Sequence, residues 1–308
     1  MGILITRKEL LNLYDLKLEE LISISEKITN ENFPNKDIEI CSIISAKTGK
    51  CEENCKYCSQ SIYNHTNIFN HSLLEIDKVK QAAIKAKQNG ATRFCIVTSG
   101  RSAKGSDFDK ILEMIKVVAS IDNLNCCASL GILDEEQIKQ IKEAGVKRFN
   151  HNINTSKSYY KEICTTHNFE DRINVIKLLK KYDIEICSGI ILGMDESKED
   201  RIDMALSLME LEPKTCPINI LDPIKGTKLE SYTDKIKEDD IIRTICIFRT
   251  LMPKVILRFA GGRTRLSDEM QKLCMKAGIN GMLSGDYLTT KGTKLLQDKK
   301  LIKSYANR

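Results

Sequence analysis

The stretch Ile38-Glu-Ile-Cys-Ser-Ile-Ile-Ser45-Ala-Lys-Thr-Gly-Lys-Cys51 decides the fold of this chain. Its isoleucine-rich first half reads as a buried strand, because β-branched side chains suit a pleated surface. A polar turn with a single glycine follows, where an open nucleotide-binding sheet would place a glycine-rich phosphate turn. Strand-like runs recur at 93–98, 125–130, 148–154, 184–189, 216–221, 255–260 and 281–284. Between them lie stretches of helical period at 74–88, 108–119, 134–144, 169–181, 198–211, 238–251 and 268–277. Asp134, Asn168 and Ser197, each ahead of acidic residues, are helix start signals, and Gly90, Gly145 and Gly278 are stops. Strand and helix alternating in this way predict an α/β protein, a (β/α)8 TIM barrel of parallel strands joined by helical crossovers. Residues 1–36 are expected to form an N-terminal helical extension and 37–308 the barrel with a C-terminal tail. In such a barrel, reactive groups belong at the C-terminal ends of the strands and in the loops beyond them.

Composition narrows the chemistry. The 308 residues include 12 cysteines. The first residues mix Arg7, Lys8, Glu9 and Asp15 with leucines and lack the apolar core of a signal peptide. A cytoplasmic location is therefore expected, where thiols stay reduced and bind metal or do chemistry instead of forming a disulfide framework. No apolar run approaches the roughly 20 residues of a membrane span, so no membrane partner is expected. Lys and Arg total 48 against 42 Asp and Glu, a net +6 spread thinly through helical stretches such as 78–87 and 177–181. Without an aromatic-interleaved basic patch, nucleic acid is not an expected partner.

The sharpest motif is Cys51-Glu-Glu-Asn-Cys55-Lys-Tyr-Cys58, directly after the first strand. Three thiolates in one loop can hold three irons of a cubane cluster and leave the fourth iron open to a small molecule. A zinc site completed by a ligand such as His65 or His71 is the alternative. Cys95, Cys127 and Cys187 fall on three separate strand runs. Strand cysteines taken singly are small buried hydrophobes. In a closed barrel these three could instead meet in the lumen, together with Arg258, a charge inside the apolar run Val255-Ile-Leu-Arg-Phe-Ala260 that is costly to bury alone. Spacing leaves both readings open.

The three-cysteine loop, with Tyr57 ahead of its last cysteine, resembles the signature of the radical S-adenosylmethionine (SAM) superfamily. From about Ile38 to Thr290 the chain resembles the biotin synthase family within it. The likeness is carried by Ile44-Ser-Ala-Lys-Thr-Gly-Lys-Cys51 through Cys58-Ser-Gln-Ser61, Arg93-Phe-Cys95-Ile-Val-Thr-Ser-Gly-Arg101 and Cys127-Ala-Ser-Leu-Gly-Ile-Leu133. It continues through Phe149-Asn-His-Asn-Ile-Asn-Thr-Ser156, Cys164-Thr-Thr-His167, Phe169-Glu-Asp-Arg172 and Ile186-Cys-Ser-Gly-Ile-Ile-Leu-Gly193. Pro217-Ile-Asn-Ile-Leu221 and Leu257-Arg-Phe-Ala-Gly-Gly-Arg263 complete it.

This resemblance implies a 4Fe-4S cluster on Cys51, Cys55 and Cys58 whose open iron chelates SAM and generates a 5′-deoxyadenosyl radical, the protein positioning the reactants. It implies a 2Fe-2S cluster on Cys95, Cys127, Cys187 and Arg258, the sulfur donor for insertion into dethiobiotin, with two SAM consumed per biotin. Cys51, Cys55, Cys58 and Arg258 thus carry the catalysis. Tyr57, Asn152, Asn154 and Arg172 would contact SAM, Arg172 as a guanidinium fork on its carboxylate. Asn152 and Asn154, two apart on the fourth strand run, are expected on one face with Asn150. Asn150 and Asn219 would bond the ureido ring of dethiobiotin, and Thr289 and Thr290 its carboxylate tail. Each asparagine also reads as a strand-end residue capping local backbone. Asn154 stands where many relatives carry Asp.

A reduced flavodoxin or ferredoxin-type electron donor and a homodimer are the partners implied. Cys41, Cys126, Cys164, Cys216, Cys246 and Cys274 receive no role. Cys126, next to Cys127, is expected to face the other side of its strand. Cys41 and Cys216 remain candidate alternative ligands, and Cys246 and Cys274 are expected in helix cores. Two other readings stand beside this one, another radical SAM activity using the same loop and a non-enzymatic iron-sulfur carrier.

Overall fold

The computed structural model describes residues 5–285, 288–289, 292–293 and 295–306. Each of the eight expected runs contains strand, and one more strand, β6, lies beyond the run 184–189: β1 Glu39–Lys47, β2 Arg93–Thr98, β3 Asn125–Ser129, β4 Arg148–Asn150, β5 Glu185–Cys187, β6 Ile190–Leu192, β7 Thr215–Ile220, β8 Ile256–Phe259 and β9 Gly281–Leu283. β5 and β6 are two halves of one stave, parted at Ser188 and Gly189. All pairings are parallel, in the order β5-β4-β3-β2-β1-β9-β8-β7-β6, and a β5 to β7 pairing closes the ring. The result is the (β/α)8 barrel expected from the alternation.

Helices α3 Ile76–Gln88, α4 Gly105–Ala119, α5 Glu135–Ala144, α7 Phe169–Lys181, α8 Lys198–Leu211, α9 Glu238–Leu251 and α10 Asp268–Lys276 surround the strands. Asp134, Asn168 and Ser197 each form a reciprocal capping box, accepting from the backbone N–H three residues on. Gly145 ends α5 at φ +112°, where a Cβ would lie 2.6 Å from that of Ala119. Before the barrel, α1 Arg7–Tyr14 and α2 Leu18–Asn32 pack on α8 and α9. Tyr14 donates to Asp240 at 3.0 Å and receives the Arg201 guanidinium at 3.0 Å. The short α6 Tyr160–Ile163 and the C-terminal α11 Leu295–Ala306 were not expected. The latter is tied down by a buried Arg263 to Asp298 ion pair of 2.5 Å.

One expected strand is shorter than its sequence pattern. The continuous ladder of the run 148–154 ends at Asn150, with only an isolated bridge from Asn154 to Ile190 beyond it, so Asn152 and Asn154 do not share a strand face. The cause is the parted stave beside it. Pro217 of β7, which has no N–H, lies opposite the break, and Gly189 approaches it so closely that a Cβ would meet the Pro217 carbonyl at 2.0 Å. The Gly189 N–H turns to the Asn152 side-chain oxygen at 3.0 Å, and its carbonyl accepts from Asn154 N–H at 3.1 Å. Asn154 itself takes φ +68°, outside the region of regular strand.

Gly189→Ala therefore forces the parted stave away from β7. It should cost about 1–3 kcal/mol, the usual range for overpacking, read as a lowered urea midpoint against the unchanged chain.

Candidate active site in the barrel lumen and mouth

Inside the barrel is a cavity of about 260 Å3. The ladder sets its thiols: Cys95 on β2 stands opposite Cys127 on β3, Cys127 opposite Arg148 on β4, and Asn150 opposite Cys187 on β5. Cys95, Cys127, Cys187 and Arg258 all line this cavity, so the structure brings the four together. It adds Cys41, which lines the same wall and packs with Cys95 and Cys127. Cys216 lies instead in the apolar layer between strands and helices, with Cys126, Cys246 and Cys274.

The closed end of the barrel is an ion lattice. Glu39 at the start of β1 accepts from Arg93 at 2.7 Å, from Arg148 at 3.0 Å and from Arg258. Arg148 also reaches Glu185 at 2.8 Å. Burial works to raise the Glu39 carboxyl, but Arg258 and Arg148 prevail and hold it at about 2. Burial likewise opposes the Arg258 charge, yet the thiols of Cys41 and Cys187 with Glu39 keep its pKa raised. Burial pushes the Cys127 thiol up to about 12 and lifts Cys41, Cys95 and Cys187 as well. A metal that binds here must displace those protons. Arg258 Nε and Asn150 Oδ1 are buried without a partner, an unfilled donor and an unfilled acceptor. Soft thiols, an excess guanidinium and orphaned polar atoms fit an anionic iron-sulfur group and a polar ligand.

At the mouth, the Cys51 to Cys58 loop leaves the C-terminal end of β1. Cys51 N–H donates to Gln60 O at 2.9 Å, and the buried Asn64 amide clasps the carbonyls of Cys55 at 3.2 Å and Cys58 at 2.8 Å. Tyr57 forms part of the cavity wall, joining mouth to lumen. Burial raises Cys51 and pushes Cys58 up to about 11. Arg172 Nε donates to Tyr160 Oη at 3.1 Å and its Nη2 lies 3.0 Å from His167 Nε2. His167 Nδ1 in turn meets Glu53, which also receives Arg101 at 2.8 Å. The Cys164 sulfur sits 3.3 Å from His167 Nδ1 and 3.7 Å from the Cys55 sulfur. Sharing the Cys55 proton holds Cys55 up and Cys164 down.

Among the described residues, the group of three placed to grip a single ion is Cys55, Cys164 and His167. Among the described residues neither His65 nor His71 joins the loop thiols in such a group. Asn152, Asn219 and Thr289 line the cavity, and Ser59 meets Thr289 at 2.8 Å. Asn219 on β7 links its two neighbours, donating to Ile190 O of β6 at 2.8 Å and accepting from Gly261 N–H beyond β8 at 2.9 Å. Asn154 is buried but not on the cavity wall, and Thr290 lies outside the described residues. Of the two alternative ligands expected, Cys41 is on the cavity wall and Cys216 is not; sequence reasoning missed Glu39, Arg148 and the Glu53, Cys164 and His167 group. A charged residue opening a strand run was the available signal for Glu39 and Arg148.

The profile of the radical SAM superfamily matches residues 46–208, and that of the Biotin and Thiamin Synthesis associated domain matches 217–306. The biotin synthase of Clostridium tetani is 44% identical over 94% of this chain and 89% of its own. That of Acetivibrio thermocellus is 44% identical, covering 98% and 94%. Crystal structures of methylornithine synthase (TM-score 0.79, 20% identity, 92% of this chain and 83% of that one) and of the FeFe-hydrogenase maturase HydG from Carboxydothermus hydrogenoformans (0.83, 15%, 97% and 74%) share the fold. A closed barrel with three cysteines in the loop after its first strand, together with the superfamily match, makes this chain a radical SAM enzyme. Within that superfamily it belongs to the biotin synthase family. Membership implies a 4Fe-4S cluster that binds SAM. No helix among the described residues is long and apolar enough to cross a membrane.

Glu39→Gln leaves buried guanidiniums without their charge partner and should destabilise the metal-free chain by about 3 kcal/mol near neutral pH. The folded carboxyl is depressed from 4.5 to about 2, so its contribution is complete above the unfolded value and fades as pH falls through the folded one. Denaturant titrations should therefore show the gap between variant and parent closing from about pH 4.5 toward pH 2. A gap independent of pH would refute the ionic role.

Proposed function

We propose that this chain inserts sulfur into dethiobiotin to form biotin, consuming two SAM per turnover and drawing the sulfur from a second iron-sulfur cluster. The observation that carries this reading is one cavity lined by Cys95, Cys127, Cys187 and Arg258 whose wall also includes Tyr57 of the three-cysteine loop. When bound, the first cluster and SAM supply the radical that removes hydrogen from unactivated carbon. Everything else falls to the chain. Cys51, Cys55 and Cys58 hold the first cluster. Cys95, Cys127, Cys187 and Arg258 hold the second as a 2Fe-2S group, the positive floor favouring an anion there.

Arg172, Asn152, Asn154 and Tyr57 position SAM. Arg172 has its Nε on Tyr160, and an Nη on His167, which fixes its plane for a carboxylate. Asn150, with its unpaired Oδ1, and Asn219 hold the ureido ring, and Thr289 and Thr290 hold the carboxylate tail. Apolar side chains such as Ile43, Val97, Ile191 and Leu283 line much of the rest of the cavity, limiting water at the reacting carbons. A reduced flavodoxin or ferredoxin-type donor, a cytoplasmic location and a homodimer complete the reading, and these rest on the family resemblance.

Anaerobic chain reconstituted with iron and sulfide, then given dithionite, SAM and dethiobiotin, should make biotin with two deoxyadenosines for each. Deoxyadenosine without biotin would sink the assignment in favour of another radical SAM reaction. Cys55→Ala should abolish SAM cleavage. Cys187→Ala and Arg258→Ala should keep the first cluster's spectrum, alter or lose the second and yield no biotin. Asn150→Ala should raise KM for dethiobiotin roughly 5- to 100-fold, the equivalent of one buried hydrogen bond, with KM for SAM unmoved.

A further inference from the structure

Cys55 and Cys164 touch in a way that cluster binding does not require. Their sulfurs are 3.7 Å apart and both side chains are buried. A disulfide bond is about 2.05 Å long, so closure takes a sulfur movement of less than about 2 Å. The backbones on either side are already laced together. Lys56 N–H donates to Ile163 O at 2.9 Å, Asn54 Oδ1 accepts from Thr165 N–H at 2.9 Å, and Asn54 Nδ2 donates to Thr165 Oγ1 at 2.6 Å. The pair is held in register without help from metal. No thiol-to-thiol hydrogen bond among the described residues links Cys55 to Cys58, its neighbour in the Cys-x-x-Cys sequence.

We propose that Cys164 is a redox partner of Cys55: in the metal-free chain, peroxide closes a Cys55 to Cys164 disulfide that withholds Cys55 from iron, and a thiol reductant reopens it. The Cys164 sulfur attacks one peroxide oxygen, the O–O bond breaks, and a sulfenic acid and water result. The Cys55 sulfur attacks the sulfenic sulfur, the S–S bond forms and a second water leaves. Two thiols lose two electrons, which the peroxide gains. Two equivalents of thiol reductant return both cysteines by exchange. Withholding of iron rests on Cys55 being a cluster ligand, whereas the disulfide itself does not.

The test uses the full chain, made metal-free under reductant, desalted, treated with hydrogen peroxide and alkylated before digestion and mass spectrometry. A cross-linked peptide joining Cys55 to Cys164 is expected, lost on adding dithiothreitol, absent from Cys164→Ser and Cys164→Ala, and retained in Cys58→Ser. The parent chain alone decides the first point: Cys55 joined to Cys51 or Cys58, or both partners fully alkylated, overturns the proposal. Oxidised chain should then lose uptake of iron and sulfide and regain it after dithiothreitol, while peroxide-treated Cys164→Ala loads without reductant. A mapped cross-link with undiminished loading removes the withholding role. If Cys55→Ala also loads normally, the assignment of Cys55 as a ligand fails separately.

Discussion

A single carboxylate at the start of β1 meets three guanidiniums at the closed end of the barrel, and the lumen chemistry follows from how that charge is balanced. Glu39 binds Arg93, Arg148 and Arg258, with Glu185 as the second acid. Without an acid, three buried cations so close together would repel one another and draw water into the barrel. With both acids present, one positive charge is still in excess. That excess faces the thiols of Cys41, Cys95, Cys127 and Cys187. Burial alone keeps those thiols protonated, so the cavity as it stands is a set of neutral sulfurs over a positive floor, and an anionic occupant satisfies both at once.

The parted fifth stave shapes the opposite wall. Gly189 against Pro217 interrupts the ladder, and the Gly189 N–H is taken up by the Asn152 amide, while Asn219 on β7 ties the Ile190 carbonyl on one side to the Gly261 N–H beyond β8 on the other. Both reading alternatives for these asparagines therefore apply in part, because they cap backbone and line the cavity. Their orientation is fixed by those bonds, and each retains some hydrogen-bonding capacity toward the cavity. Asn150 differs, since its Oδ1 is buried with nothing to accept from. The amide whose capacity is least spent on the protein is the one with most to gain from a ligand.

The barrel was legible in the sequence because its strands carry β-branched runs and its crossover helices carry explicit caps at Asp134, Asn168 and Ser197. The run ending at Asn154 was misread because side-chain bonding and a left-handed backbone mimic a strand's alternation of asparagines. Cys41 and Cys216 could not be told apart as alternative ligands, because β1 is isoleucine-rich on both faces and periodicity gives no sign of which face is the lumen. Glu39 and Arg148 escaped as partners because they sit on non-adjacent staves and meet only when the ring closes. Cys164 was quoted in a motif yet left without a role. Its contact with Cys55 spans 109 residues of chain, a proximity no local pattern encodes.

The two cysteine groups differ in what fixes them. Cys95, Cys127 and Cys187 ride on paired strands, and moving any of them means shifting a ladder register and with it every neighbouring side chain. Cys51, Cys55 and Cys58 are held by loop hydrogen bonds instead: Asn64, whose own Oδ1 has no partner, clasps the Cys55 and Cys58 carbonyls, and Asn54 and Lys56 tie the loop to Thr165 and Ile163. The strand-borne set imposes its geometry on the occupant, whereas a side-chain rotation in the loop shifts no ladder register. The contact between Cys55 and Cys164 belongs to the loop set, which is why a change confined to two side chains there leaves the barrel intact.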